Sequence, residues 1–520
     1  MNPQSRYLTD LGTAFRAVAA HRADAVALRL PDGASCSYRR LLETSGNIAR
    51  QLRSAGVRRG DVVGLFHAKQ VEGYAAMLAC LDIGAPYVNL DEDNPPQRLG
   101  SILAACNPVL VLADGIVSPA ALDTCAHHGV DLRMLLSPWP DMDASVPARV
   151  DIDTAVIGTD IAYLMFTSGS TGTPKGVAIS HSQVLNFVAW ARADLAIGGD
   201  DVLSNVNPMY FDNSVFDFYA ALFNGAALAP ISRSSLRDAR LLVRQVRDAG
   251  CTIWFSVPSL LIYLMTTRSL ARDSWPAVRA VVFGGEGYPK PELRKLFDLL
   301  GERTRLVNVY GPTECTCICS AYDVGAGDFM DMAGYPPIGR LAPNFRGLLL
   351  AGDVPVPPGD VGELCLLGPN VGLGYYQDPQ RTARSFVANP CCGSHREPMY
   401  RTGDLMRLDP VDMRLHFVGR IDNQIKHMGY RIELEEIESA LALLPGVVQC
   451  AVIYKRVRSQ FGNLIAYVAG SAPALDAETL LDQLRSRLPS YMIPNHLEIR
   501  SELPKNPNGK VDRKRLADDV

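Results

Sequence analysis

The sequence has no surplus of positive charge. Its 51 lysines and arginines are outnumbered by 55 aspartates and glutamates, for a net charge of −4. A nucleic-acid binder needs a basic face that this balance does not provide, and no block of like charge forms a tail. No apolar run is long enough to span a bilayer, which takes about 20 residues. The stretch Tyr74 to Val88 is broken by Asp82 and Pro86. The N-terminus does not read as a signal peptide, because Arg6, Asp10 and Arg16 are interleaved among apolar residues as in an amphipathic helix. The 12 cysteines show no framework spacing. Free thiols in a cytoplasmic protein are therefore expected. Cys315, Cys317 and Cys319 alternate, so on a strand they would share one face as small buried residues. The histidines show no HExxH or similar ligand spacing, and His127-His128 reads as a solvated helix-to-loop segment.

What is present is a 520-residue chain, 48% hydrophobic, enough for more than one domain and a large core. Helical patterns at Leu41 to Gly56, Val71 to Leu81, Gln183 to Asp194, Phe216 to Phe223 and Leu241 to Ala249 alternate with short apolar runs. Those runs are Asp61 to Phe66, Pro86 to Leu90, Pro108 to Leu112, Tyr163 to Phe166, Thr252 to Ser256, Val278 to Phe283 and Leu306 to Tyr310. Strands alternating with helices predict mostly parallel sheets flanked by helices. From about Gly339 the strands shorten and Gly/Pro punctuation thickens, which predicts an antiparallel, barrel-like lobe. After Asp422 comes a compact unit, with helices over Glu433 to Leu444 and Ala477 to Leu488, strands over Val447 to Lys455 and Leu464 to Ala469, and a turn at Asn508-Gly509. The fold class is thus α/β: a large N-terminal domain, 1–421, with a barrel-like lobe, and a small mobile α+β C-terminal domain, 422–520.

The most informative segment runs from Tyr163 to Val177. An apolar strand opens into Thr167-Ser-Gly-Ser-Thr-Gly172 and closes on Pro174-Lys175-Gly176. Glycines let backbone N–H groups converge on an anion, hydroxyls add donors, and Lys175 adds a mobile charge, so this is a phosphate cradle. It is not a Walker A loop, because Lys175 follows Pro174 and precedes Gly176. Tyr310-Gly-Pro-Thr313-Glu314 makes a turn at a strand's carboxyl end, where open α/β sheets bind ligands. Tyr310 offers a face for a nucleobase and Glu314 a hard ligand for Mg²⁺. Tyr400-Arg-Thr-Gly-Asp404 places a carboxylate after a turn, fit either for ribose hydroxyls or for capping the turn. Asp212, in Phe211-Asp-Asn-Ser-Val-Phe-Asp217, sits among apolar residues and needs a cationic or donor partner, unless it caps a helix.

Taken together and in this order, these motifs resemble the amino-acid adenylation domains of nonribosomal peptide synthetases. That group lies within the acyl-adenylate-forming superfamily, beside acyl-CoA synthetases and luciferases. The resemblance runs from Ser37-Tyr-Arg-Arg-Leu41 to Lys510 and includes Gly419-Arg-Ile-Asp-Asn-Gln-Ile-Lys426 and Leu488-Pro-Ser-Tyr-Met-Ile-Pro494. It implies ATP and Mg²⁺ as cofactors. The nucleotide would be held by Thr167, Ser168, Gly169, Ser170, Thr171, Gly172 and Lys175 on its phosphates. Tyr310 would stack on the adenine, Asp404 would hold the ribose, and Thr313 and Arg420 would be further nucleotide contacts. Glu314 would be the metal ligand, Asp422 the hinge, and Lys510 the catalytic lysine between substrate carboxylate and α-phosphate. Asp212 would hold the substrate's amino group. The pocket would be completed by Asn213, Phe216, Phe255, Val282, Gly284, Val309, Cys317 and Ile318, with Gly284 leaving volume. Because Asp212 is the one charged member, a small or medium neutral amino acid is implied, with a β-amino acid as an alternative. An acyl- or aryl-CoA ligase is the other reading, and Asp212 argues against it.

One position departs from the pattern: Glu435 stands where the family commonly has glycine. The chain stops ten residues beyond Lys510 and shows no carrier or condensation domain. A separate carrier protein with a phosphopantetheine arm is the expected partner.

Overall fold

A computed structural model describes residues 9–135, 156–169, 172–457, 461–470, 475–505 and 511–518. Ser170, Thr171, Lys510 and the Asn508-Gly509 turn lie outside the described residues, as does Arg6.

Among the described residues, two large sheets form the body. One has seven strands, with Val63–Phe66, Tyr87–Leu90 and Leu110–Ala113 parallel at its centre. All four residues of each of these strands are buried. Apolar on both faces, they can only be internal strands covered by helices. The second sheet has nine strands, and its parallel run passes through Val202–Asn205, Ile253–Ser256, Ala280–Gly284 and Arg305–Tyr310. Between the sheets lies one continuous core. Helix Val71–Ile83 contributes Tyr74, Met77 and Leu81, and the π-helical turn Phe216–Ala220 contributes Phe216, Phe218 and Tyr219. Helix His181–Leu195 starts at a capping box in which Ser180 and Gln183 satisfy each other's backbone N–H groups.

The antiparallel lobe expected after Gly339 is a six-stranded sheet among the described residues. Its long strand Pro398–Leu408 pairs with Val361–Leu367, Phe386–Ala388 and Leu415–Arg420. Beyond it, Gln424–His427 and Tyr430–Glu433 form a hairpin. A three-stranded sheet, Val447–Val457, Phe461–Gly470 and His496–Arg500, follows. Ile432 of the hairpin packs in the same cluster as Ile437, Val452 and Leu484, so the hairpin shares its core with the C-terminal unit.

The cysteine triplet differs from expectation. All three are buried, but they do not share a strand face. Thr313–Cys315 is a 3₁₀ turn, and Thr316 and Cys317 have φ of 57° and 72°. A left-handed step at two successive residues breaks strand geometry, and the strand begins only at Ser320. His127 and His128 are exposed, as expected.

Candidate active site

The phosphate loop, Asp212 and Glu314 follow the carboxyl ends of strands, and Phe255 is the penultimate residue of another, so the sheets bring together what the sequence separates. A cavity of about 220 Å³ is bordered by Thr167, Ser168, Asp212, Thr313, Asp404 and Arg420. Its opposite wall comes from the hairpin, at Lys426 and Gly429 to Arg431, and from Tyr491. A second cavity, of about 510 Å³, adjoins it and is bordered by Tyr310, Asp404, Arg420, Asp422 and Lys426.

Asp212 is half-buried, and it borders the cavity. Thr313 donates its hydroxyl to the carboxylate. Burial raises the Asp212 carboxyl above its ordinary range, and Thr313 and Lys426 oppose the rise. A cation arriving in the cavity would relieve that cost. Asn213, Phe255, Val309, Cys317 and Ile318 also border this cavity. Phe216, Val282 and Gly284 do not. Phe216 is fully buried behind Phe255, their rings meeting edge to face at 4.9 Å. Val282 is buried in the core of its strand. A Cβ on Gly284 would stand 2.4 Å from the Val309 carbonyl oxygen, so this glycine permits close strand approach and leaves no pocket volume.

Glu314 is fully buried. Tyr375 donates its hydroxyl to Oε1 at 2.9 Å, Lys175 lies 3.3 Å from that oxygen, and Arg431 pairs with Oε2 at 2.8 Å. Burial alone would raise its pKa, but Arg431 and Lys175 outweigh burial and hold it well below the usual carboxylate range. Both carboxylate oxygens thus face cations. In this arrangement Glu314 does not fit a divalent metal, which would stand beside two positive charges.

Tyr310 donates to Asp404 Oδ2 at 2.6 Å, and Arg420 pairs with Oδ1. Arg420 also reaches both oxygens of Asp422, at 2.6 and 2.8 Å, tying the expected hinge to the expected ribose ligand. Lys426 Nζ lies 5.9 Å from the Tyr310 ring centre and makes no ion pair among the described residues. Burial lowers its pKa, while Asp404 and Asp212 pull it back up.

Lys426, Arg431 and Glu436 were not singled out from sequence. They belong to the hairpin and the helix Leu434–Ala442, which lean on the phosphate loop. Ser168 donates to the Arg431 carbonyl at 2.8 Å, and Gly169 N–H donates to Glu436 at 3.3 Å. Gly429, with φ of 83°, donates to Glu286 at 3.1 Å; a Cβ there would meet Val257 at 2.7 Å. Their only signal was the motif ending at Lys426 and the run from Gly429 to Glu436. Glu435, the departure from the family pattern, accepts from Asn423 at 2.7 Å and sits in the first turn of its helix, where a negative charge is favourable.

Arg98, from helix Pro96–Cys106, forms a buried ion pair with Glu436. Arg98→Ala would leave Glu436 buried against the phosphate loop without its counterion, at a cost of about 3–5 kcal/mol to this orientation. The expected result is slower transfer of an activated acyl group, with adenylate formation kept. Single-turnover measurement of each step checks this, and equal loss of both would contradict it.

The AMP-binding enzyme family matches residues 15–376, and the AMP-binding enzyme C-terminal domain matches residues 436–510. The chain is 35% identical to an L-proline--[L-prolyl-carrier protein] ligase of Streptomyces coelicolor, over 91% of this chain and 90% of that protein. It is 33% identical to surfactin synthase subunit 3 of Bacillus subtilis, over 93% of this chain but 37% of that larger protein. Among solved structures, a nonribosomal peptide synthetase protein containing adenylation and PCP domains, bound to a vinylsulfonamide inhibitor, superposes with a TM-score of 0.83. It is 27% identical, over 98% of this chain and 84% of that one.

Proposed function

This chain belongs to the AMP-binding enzyme family, and we propose that it activates a small or medium neutral amino acid as aminoacyl-AMP. It then passes the aminoacyl group to the phosphopantetheine thiol of a separate carrier protein, in natural-product biosynthesis. The observation that carries this reading is that Asp212 and the start of the phosphate loop, Thr167 and Ser168, border one cavity. A carboxylate there meets a substrate ammonium, and the substrate's own carboxylate then faces the phosphates.

In the first step a carboxylate oxygen attacks the α-phosphorus in line, the bond to the bridging oxygen breaks, and pyrophosphate leaves. Two anions must approach, so fixed cations do most of the work. Lys175 lies at the phosphate loop, and Lys510 is the expected bridge between carboxylate and phosphate. Residues 167–172 and 175 would hold the phosphates, Tyr310 would stack on the base, Asp404 would hold the ribose, and Thr313 and Arg420 would add further nucleotide contacts. Glu314 would take Mg²⁺ only with Arg431 withdrawn from Oε2, where the ion would supply positive charge to the phosphates. The domains divide at 421/422. Rotation about Asp422 brings Lys510 to the cavity for adenylation and the hairpin residues to it for transfer.

Phe255, Val309 and Ile318 make the side-chain end of the cavity apolar, and Asn213 adds one amide. A charged side chain would find no counterion beside Phe255. A β-amino acid would set its amine one carbon farther from the carboxylate. Pyrophosphate exchange across α-amino, β-amino, aryl and fatty acids tests the reading. Exchange only with desamino acids, or transfer to coenzyme A in preference to holo-carrier, would move the assignment to an acyl- or aryl-CoA ligase.

Asp422→Pro tests the rotation. Proline fixes φ at the hinge and removes the carboxylate that Arg420 holds. The expected outcome is retained exchange with lost carrier loading, read by intact-mass measurement. Equal loss of the two half-reactions would count against a two-orientation cycle.

A further inference from the structure

Five arginines fall within the fifteen residues from Arg233 to Arg247: Arg233, Arg237, Arg240, Arg244 and Arg247. All are exposed. The helix Ala239–Asp248 buries Leu242, Val243 and Val246 against Trp254 and Leu261. Arg240, Arg244 and Arg247 stand at i, i+4 and i+7 and share the outer stripe. Like charges at that spacing repel one another, so the helix gains nothing from them on its own. Two of the five are neutralised. Arg233 pairs with Asp91 and Asp93, and Arg247 with Asp248 at 2.9 Å. Arg237, Arg240 and Arg244 have no carboxylate within ion-pair distance among the described residues. Asp238, the nearest acid in sequence, spends its Oδ1 on the helix cap, accepting from the N–H groups of Arg240 and Leu241.

The segment that leads into this helix borders the smaller cavity. Leu236, the residue before Arg237, borders that cavity, together with Leu260 and Met428. Leu236 and Leu260 are half-buried, and Met428 is 53% exposed. An apolar lip from both the body and the hairpin is thus followed in the chain by Arg237, at the end of the 3₁₀ turn Arg233–Arg237, and by the helix bearing the unpaired Arg240 and Arg244. The chain as a whole is net negative, so this local surplus is not a by-product of composition.

We propose that the face bearing Arg237, Arg240 and Arg244 is the docking surface for the carrier protein, which meets it with acidic side chains. Its thiol-bearing arm enters past Leu236, Leu260 and Met428. The proposal rests on the carrier-loading reading above and adds where the partner sits. Charge complementarity of this kind acts chiefly on the rate of encounter and on partner choice. The thiol gives up its proton to solvent and attacks the aminoacyl carbonyl, the C–S bond of a thioester forms, the bond from that carbon to the phosphate oxygen breaks, and AMP departs. The arginine face touches none of these atoms.

The test is the triple reversal R237E/R240E/R244E, with R237K/R240K/R244K as the conservative control. The probes are a panel of free-standing holo-carrier proteins of net negative charge, and free pantetheine as a small neutral thiol. Pyrophosphate exchange and transfer to pantetheine should match the wild type in both variants. Carrier loading by the wild type should fall with added salt. In the reversal, kcat/KM for loading should drop by about tenfold or more at low salt and lose its salt dependence. The lysine variant should load normally. A reversal that loads carriers at the wild-type rate overturns the docking surface and leaves the carrier reading intact. A wild type that forms the adenylate but loads none of the carriers overturns that reading, and the surface with it. Equal loss toward carrier and pantetheine assigns the defect to the cavity and also overturns the proposal.

Discussion

Replacing Lys510 with alanine is expected to lower amino-acid-dependent pyrophosphate exchange by about a hundredfold or more, the usual effect of deleting a preorganised charge stabiliser. ATP binding should survive. The reason is electrostatic. A carboxylate and a triphosphate must come within bonding distance, and the developing pentacoordinate centre carries more negative charge than either ground state shows at that point. Lys175 cannot serve this alone. It is held at 3.1 Å by Tyr375 and 3.3 Å from Glu314, and burial lowers its pKa. Lys426 borders the cavity, but it comes from the hairpin that leans on the phosphate loop. Lys426→Ala is therefore the informative companion. It should spare exchange far more than Lys510→Ala does and weaken acyl transfer instead. Near-normal exchange in Lys510→Ala, with the thermal transition unchanged, would remove Lys510 from the reaction.

The contrast between these two lysines also marks how far the sequence could be read. The phosphate cradle was legible because its parts are contiguous: an apolar strand, a Gly/Ser/Thr loop and Pro-Lys-Gly lie within fifteen residues of Tyr163. The strand ends that gather Asp212, Phe255 and Glu314 were legible as apolar runs with the right punctuation. What was not legible depends on partners far away in the chain. Thr313 and Asp212 are 101 positions apart, and Arg98 and Glu436 are 338 apart. No local pattern links such pairs. Gly284 misled for a different reason. A missing side chain reads as free volume, yet here the space is filled by the neighbouring strand's backbone. The cysteine triplet misled because alternation is evidence for a strand only if the backbone is extended, and a left-handed pair at Thr316 and Cys317 leaves no local trace in composition.

Asp212→Ala should raise the KM for the amino acid by two orders of magnitude or more and leave the KM for ATP nearly unchanged. An ammonium brought into the cavity without its carboxylate loses a buried ion pair, a penalty of about 3–5 kcal/mol. Thr313 would also lose the acceptor of its hydroxyl. Asp212→Asn separates these effects, because the amide keeps an acceptor for Thr313 but carries no charge. If charge is what matters, the asparagine variant resembles the alanine variant in KM while keeping its thermal stability. The pH profile supplies an independent sign. Burial moves the Asp212 carboxyl upward from its ordinary 3.8. On acidification it therefore takes up a proton earlier than a surface carboxylate does, and the protonated form cannot pair with an ammonium. The kcat/KM for the amino acid, which reports the free enzyme, should fall on the acid side at a pH above that ordinary value. The limb should vanish in Asp212→Asn. Desamino analogues activated as well as the amino acid by the wild type, or an acid limb that persists in Asp212→Asn, would show that the amine is held elsewhere.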